Sequence, residues 1–186
     1  KPTTYILEAY QAGQRIFGEN KVQELVEKSA ILPDDIQWHM IGHLQTNKVK
    51  YIAPFVSLIQ AVDSKKLLIE IDKRARQHDR VIHCLLQIHI AQESSKFGLS
   101  EDEALELLEM NLANVSIDGI MGMATFTDNK QQIRSEFKSL KNTFEKAKSK
   151  FNKLSILSMG MSGDYNIAIE EGSNMIRIGS SIFGSR

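Results

Sequence analysis

The chain holds a single cysteine, only three prolines and no excess of charge, since 23 Lys and Arg residues balance 23 Asp and Glu residues. One cysteine excludes a disulfide framework. Cys84 lies inside the apolar run VIHCLLQIHI, where a buried, inert thiol in a reducing, cytoplasmic setting is expected. Zero net charge excludes a global field that would draw the protein to nucleic acid or to an anionic membrane, so neither is expected as a partner. No run of about 18 apolar residues and no charged-then-apolar leader occurs, which sets aside membrane spanning and secretion. His39, His83 and His89 have no metal-ligand spacing, so they are expected to be packed or hydrogen-bonded strand residues and no metal is assigned. No Pro, Gly and Ser-rich linker interrupts the chain. With 42% apolar residues, the 186 residues suffice for one well-buried core, and a single monomeric domain over 1–186 is expected.

What is there is a regular alternation. Apolar strand-like runs occur at Arg15 to Asn20, Gln37 to Gly42, Ser57 to Asp63, Val81 to Ile90, Ser116 to Ala124, Lys153 to Met161 and Met175 to Ser181. Amphipathic helical patterns lie between them. Ser64 to His78 places Leu67, Leu68, Ile71 and Ala75 on one side. Ser100 to Met110 opens on SEDE, an N-cap serine with a carboxylate at the capping-box position. Lys130 to Ser149 carries a stripe of Ile133, Phe137, Leu140, Phe144 and Ala147 among lysines and glutamates. Alternating strands and helices imply a mostly parallel sheet covered by helices, either doubly wound or closed into a barrel.

The placement of polar, glycine-containing segments decides between the two. GEN (Gly18 to Asn20), GHLQTNK (Gly42 to Lys48), ESSKFG (Glu93 to Gly98), GMSGD (Gly160 to Asp164) and RIGSS (Arg177 to Ser181) each follow a strand candidate. A barrel draws its site from the C-terminal ends of many strands, whereas an open sheet concentrates it at one switch point. A (β/α)8 barrel of the TIM type is therefore expected. Seven strands are countable in a chain shorter than the roughly 250 residues usual for that fold, so a first strand is expected ahead of Lys1.

The last two loops carry the chemistry. Period-two alternation puts Ile176 and Ile178 on one face of their strand and Met175, Arg177 and Gly179 on the other, which aims Arg177 into the barrel mouth. A guanidinium there requires an acceptor such as a carboxylate, a phosphate or a ring nitrogen. Gly179 permits close backbone approach, and Ser180 and Ser181 add donors. Ser162 offers a hydroxyl, and Asp164 is expected to cap a helix from Tyr165 to Glu171 that Gly172 closes. A phosphate held by the loops after the last two strands is the recurrent barrel arrangement.

The segments AGQRIFGENKVQE (Ala12 to Glu24), WHMIGHLQTNK (Trp38 to Lys48), SSKFG (Ser94 to Gly98), GIMGMA (Gly119 to Ala124) and Leu157 to Arg186 occur in the order that resembles the pyridoxal phosphate homeostasis proteins, also called proline synthetase co-transcribed proteins. Their barrel is that of the alanine racemase N-terminal domain. The resemblance implies a cytoplasmic carrier of pyridoxal 5'-phosphate that buffers this vitamin B6 cofactor without established turnover, with enzymes that require the cofactor as candidate recipients. It also implies that Arg177 meets the pyridine nitrogen, that Ser162 with the N–H groups of Gly179 and Ser180 holds the phosphate, and that Asn20 borders the ring. The family carries its cofactor as a Schiff base on a lysine of the first strand. Lys1 matches a position two residues beyond that lysine, so the attachment residue is expected upstream of Lys1. Lys96 is the one lysine at the mouth weighed as a substitute. The alternative is an amino-acid racemase or lyase using the same site. It is disfavoured because alanine racemases append a β domain carrying a catalytic tyrosine after the point where this sequence ends.

Overall fold

The computed structural model describes residues 1–92 and 97–184. Seven strands form one parallel sheet in the order β1 to β7: Ile16–Glu19, Gln37–Met40, Leu58–Val62, Ile82–Ile88, Val115–Gly122, Ile156–Met161 and Met175–Arg177. Every strand pairs with its sequence neighbours in parallel register, as in Phe17 with Trp38 and Ile120 with Leu157. A doubly wound sheet reverses its strand order at a switch point. No reversal occurs among these strands, and the expected barrel-type winding is observed.

Curvature is visible in contacts through the inside of the sheet. Gln60 of β3 accepts a hydrogen bond of 2.7 Å from Ser158 of β6, and its amide nitrogen lies 3.3 Å from the sulfur of Met175 in β7. In a flat sheet with strands about 4.8 Å apart, three or four intervening spacings would separate these groups by roughly 14 to 19 Å. The sheet must roll up for them to touch. Its concave side holds a small apolar cluster of Leu58, Ala61, Leu85 and Met121, extended by Met123, Ile156 and Met175. The larger core lies between strands and helices and includes Leu25, Trp38, Ile59, Leu86, Phe137 and Leu157.

The helices form where capping and periodicity agree. Ser64 accepts the N–H of Leu67 to start α4 (Lys65–Arg76), whose Leu67, Leu68, Ile71 and Ala75 are buried. Ser100 and Glu103 make a reciprocal capping box at α5 (Glu101–Leu108). Asn129 caps α6 (Lys130–Lys150), which buries the anticipated stripe. Each fully buried Phe or Leu there contributes roughly 1.5–3 kcal/mol, so docking, more than the polar average composition, holds this helix in place. The shorter α1 (Thr3–Gln11), α2 (Val22–Ser29), α3 (Val49–Ile52), α7 (Tyr165–Glu170) and α8 (Ser180–Phe183) complete the alternation.

Two local expectations are corrected. The last strand ends at Arg177, and Ser180 and Ser181 open α8 instead of extending the strand; their N–H groups therefore leave the sheet and line a helix start. Asp164 stands at the N-cap of α7 without a side-chain cap bond, because its carboxylate turns back and accepts the N–H of Met161 at 2.6 Å. Gly172, at φ +94°, closes that helix as anticipated.

Gly160 sets the spacing between β6 and α7. Its φ is +97°, and a Cβ there would stand 2.6 Å from the Cβ of Ala168 and 3.0 Å from the Cα of Tyr165. Gly160→Ala is expected to destabilise the protein by about 1–3 kcal/mol through backbone strain and this collision. Urea unfolding checks it, and an unchanged midpoint would show that α7 can retreat from β6 freely.

Candidate functional site

The C-terminal ends of β6 and β7 bring together most of the residues singled out above. Arg177 points to the inside of the sheet, as its alternation with Ile176 requires. One guanidinium nitrogen, Nη1, donates to the Ser158 hydroxyl at 2.7 Å and to the Ser158 carbonyl at 3.3 Å, and Nη2 donates to the carbonyl of Gly122 at 3.2 Å. All three acceptors are neutral. No carboxylate forms an ion pair with Arg177 among the described residues; Asp164 contributes only attraction at a distance. Burial lowers the Arg177 pKa to about 10, which still leaves the side chain cationic at neutral pH.

Arg177 is the first member of a chain of hydrogen bonds that crosses the inside of the barrel. A guanidinium only donates, so the Ser158 oxygen accepts from it, and the Ser158 hydroxyl donates in turn to the carbonyl oxygen of Gln60. The Gln60 amide nitrogen then faces Nδ1 of His39 in β2 at 3.1 Å. Ser158, Gln60 and His39 are 0%, 2% and 6% exposed, so water does not compete for these bonds. Burial drives the His39 pKa down to about 4, and the ring is a neutral acceptor at Nδ1.

The two loops meet at Ser162. Its hydroxyl accepts the N–H of Gly179 at 3.1 Å and of Ser181 at 3.3 Å, and the Ser181 hydroxyl returns a bond to the Ser162 carbonyl. The N–H groups of Gly179 and Ser181 thus converge on one oxygen. A Cβ built on Gly163 or Gly179 would meet nothing within 4 Å, so both glycine faces stay open. An anionic oxygen fits this donor set for the same reason that the Ser162 oxygen does.

Asn20 follows β1 and is exposed. Its backbone is pressed against Gly42, where a Cβ would lie 2.4 Å from the Asn20 carbonyl oxygen, so the loops after β1 and β2 are locked to one another. Lys1 reaches the end of α8: its Nζ donates to the carbonyls of Phe183, the last residue of that helix, and of Gly184 just after it. Lys28 is buried. Burial alone would lower its pKa, but bonds to Glu19 at 2.5 Å and Glu24 at 3.2 Å more than offset this and raise it. Lys96 lies outside the described residues. Its neighbour Phe97 stacks on His43 with ring centroids 4.0 Å apart, and His43 bonds Asp63 at 2.9 Å. Sequence reasoning missed Gly122, Ser158, Gln60 and this His43–Asp63 pair. A lone amide or hydroxyl on the inward face of an otherwise apolar strand is the signal that could have found Gln60 and Ser158.

Residues 3–186 match the alanine racemase N-terminal domain family. The chain is 40% identical over 189 residues to the pyridoxal phosphate homeostasis protein of Aquifex aeolicus, a comparison covering 100% of this chain and 83% of that protein. The chain belongs to the pyridoxal phosphate homeostasis protein family. A solved relative, PipY of Synechococcus elongatus with PLP bound, superposes with a TM-score of 0.88 at 33% identity, over 98% of this chain and 88% of that one. The alanine racemase of Clostridium difficile gives a TM-score of 0.76 at 15% identity, over 98% of this chain and 47% of that one, which shows a shared fold. Among the described residues, no three His, Cys, Asp or Glu side chains cluster so as to hold a metal ion, and no helix is long and apolar enough to cross a membrane.

The neutral His39 has a consequence for stability. Its folded pKa of about 4 lies below the ordinary 6.5, so between these values the unfolded chain takes up a proton that the folded chain refuses. Stability is therefore lost as pH falls from about 6.5 towards 4, and by pH 5 the loss from this residue is about 2 kcal/mol relative to pH 7. His39→Gln is expected to remove that portion of the slope. Urea unfolding of both proteins at the two pH values checks it, and parallel pH dependence in the two would contradict the buried neutral imidazole.

Proposed function

We propose that the barrel mouth binds pyridoxal 5'-phosphate and that the protein acts as a reversible carrier of this cofactor in intracellular vitamin B6 homeostasis. The observation that carries this reading is the guanidinium of Arg177, partly buried at the mouth yet satisfied only by neutral acceptors, beside a convergent pair of backbone N–H groups. Such a site favours a ligand that brings both a flat ring acceptor and an anion. Family membership and the PLP-bound PipY relative support the same assignment. When bound, the cofactor supplies a reactive aldehyde and an electron-withdrawing ring.

The roles follow from what each group can donate. Arg177 offers its remaining N–H capacity to the pyridine nitrogen. Ser162 and the N–H groups of Gly179 and Ser180, joined by that of Ser181, hold the phosphate. Asn20, fixed by its contact with Gly42, borders the ring. A cation at the ring nitrogen disfavours protonation there and leaves the ring a weak electron sink, which favours carriage over carbanion chemistry. Enzymes that require the cofactor are the proposed recipients. A cytoplasmic location accords with Cys84, whose thiol burial pushes up in pKa and renders inert.

Pyridoxine 5'-phosphate, which lacks the aldehyde, isolates the non-covalent part of the site. Ser162→Ala is expected to weaken its binding by about 1–3 kcal/mol, the cost of losing a bond to a charged group. Isothermal titration measures this, and an unchanged affinity removes Ser162 from the phosphate site. Arg177→Glu separates carrier from enzyme. It is expected to lower affinity while raising α-proton exchange of alanine per bound cofactor, followed by NMR at equal occupancy. Robust exchange in the parent that vanishes in the variant would establish the racemase or lyase reading instead.

A further inference from the structure

We propose that Gln60 is a positioning residue that sets the charge state of the site: through Ser158 it holds Arg177 with neutral dipoles, leaving the cation uncompensated for the ligand. The inference deepens the cofactor reading above and rests on it for its ligand. The starting observation is independent of any ligand. Buried guanidinium groups are ordinarily matched by a carboxylate. Here the position that a counter-ion would occupy, one hydroxyl away from Arg177, holds an amide that is 2% exposed.

The alignment of the chain explains how an amide suffices. Each member accepts from the side of Arg177 and donates away from it: Ser158 accepts at 2.7 Å, Gln60 accepts from Ser158 at 2.7 Å, and His39 accepts from Gln60 at 3.1 Å. The negative ends of three dipoles thus face the guanidinium in series, which orients it and partly solvates it. The chain ends on a ring that burial keeps neutral, so no fixed anion enters at the far end. Met175, the inward neighbour of Arg177 on β7, seats the same amide nitrogen at 3.3 Å and fixes which way the amide points.

The chemical consequence concerns selectivity. With a carboxylate at this position, the charge of Arg177 would be compensated from behind. Its attraction for a phosphate ester would fall, and a ring nitrogen held against it would gain a proton more readily. With an amide, the site keeps one net positive charge, which matches an anionic phosphate ester whose aromatic nitrogen is unprotonated. Gln60 therefore discriminates by ionisation state without touching the ligand.

The test uses the near-isosteric Gln60→Glu and, as a second variant, Gln60→Met, which keeps the volume and loses the strong acceptor. In the cofactor-free parent, the Arg177 guanidinium protons are expected to exchange slowly with water and to show hindered rotation by nitrogen-15 NMR. Gln60→Met should average these signals, and identical spectra in the two proteins would overturn the chain as the element that positions Arg177. For binding, pyridoxine 5'-phosphate is titrated into the parent and Gln60→Glu from about pH 6 to about pH 9. The variant is expected to bind about tenfold or more weakly where its introduced carboxyl is ionised, with the ring nitrogen-15 resonance moving towards its protonated position. A difference below about twofold throughout, in a variant with parental circular dichroism, would overturn the selectivity role. Failure of the parent itself to bind would reject the cofactor reading, while the cofactor-free NMR comparison would still decide the positioning role.

Discussion

The hydrogen bond between Ser158 and Gln60 joins β6 to β3 across the inside of the sheet, and the geometry of the mouth depends on it. A rolled sheet brings inward side chains of distant strands together. Apolar members of that set form a cluster around Leu85 and Met121, which contributes burial without direction. The polar members contribute direction. Ser158 accepts from the Arg177 guanidinium and donates its own hydroxyl to Gln60, and a buried hydroxyl left without that acceptor costs about 1–3 kcal/mol. One transverse bond thus couples closure of the sheet to the aim of Arg177 at the mouth.

The surrounding rim divides its labour. Between β6 and β7 the chain supplies N–H donors and a hydroxyl, held close by the left-handed Gly160 and by the return of the Asp164 carboxylate to Met161. On the opposite rim, α2 supplies a buried ammonium, Lys28, that Glu19 and Glu24 fully engage. The two cations differ in what they can do. Lys28 is matched by carboxylates and fixes structure, whereas Arg177 meets only neutral groups and retains its field for whatever enters. The pair at Arg134 with Glu170 and Glu171 anchors α7 to α6 from outside, so the helix between the Ser162 and Gly179 loops is held on both of its sides.

Much of this was legible in the sequence where the governing rule is local. Period-two alternation placed Arg177 inside, the SEDE signature placed the capping box at Ser100 and Glu103, and the Ile133 to Ala147 stripe placed the buried face of the longest helix. Loop positions after successive strands led to the barrel. The rest was hidden for equally physical reasons. Gln60 and Ser158 are 98 residues apart, and no local pattern announces a pair that only curvature brings within 2.7 Å. The early end of β7 follows from the turn at Gly179, which directs the N–H groups of Gly179 and Ser181 onto Ser162 and not into the sheet. Asp164 had the residue type and position of a cap, but a nearer backbone donor at Met161 won its carboxylate.

The sequence distances within the site also order its assembly. The loops that converge on Ser162 belong to one short unit, with bonded residues 17 and 19 positions apart. Closing so small a loop costs little conformational entropy, and contacts of this kind form early. The bond that orients the cation spans 98 residues and waits until β3 and β6 enclose the same space. A half-folded chain would therefore present converging loops at Ser162 with a wandering guanidinium, and the aimed arrangement arises only with the finished sheet. In a cell that must keep a reactive aldehyde away from stray amines, such an order makes capture a property of completely folded molecules.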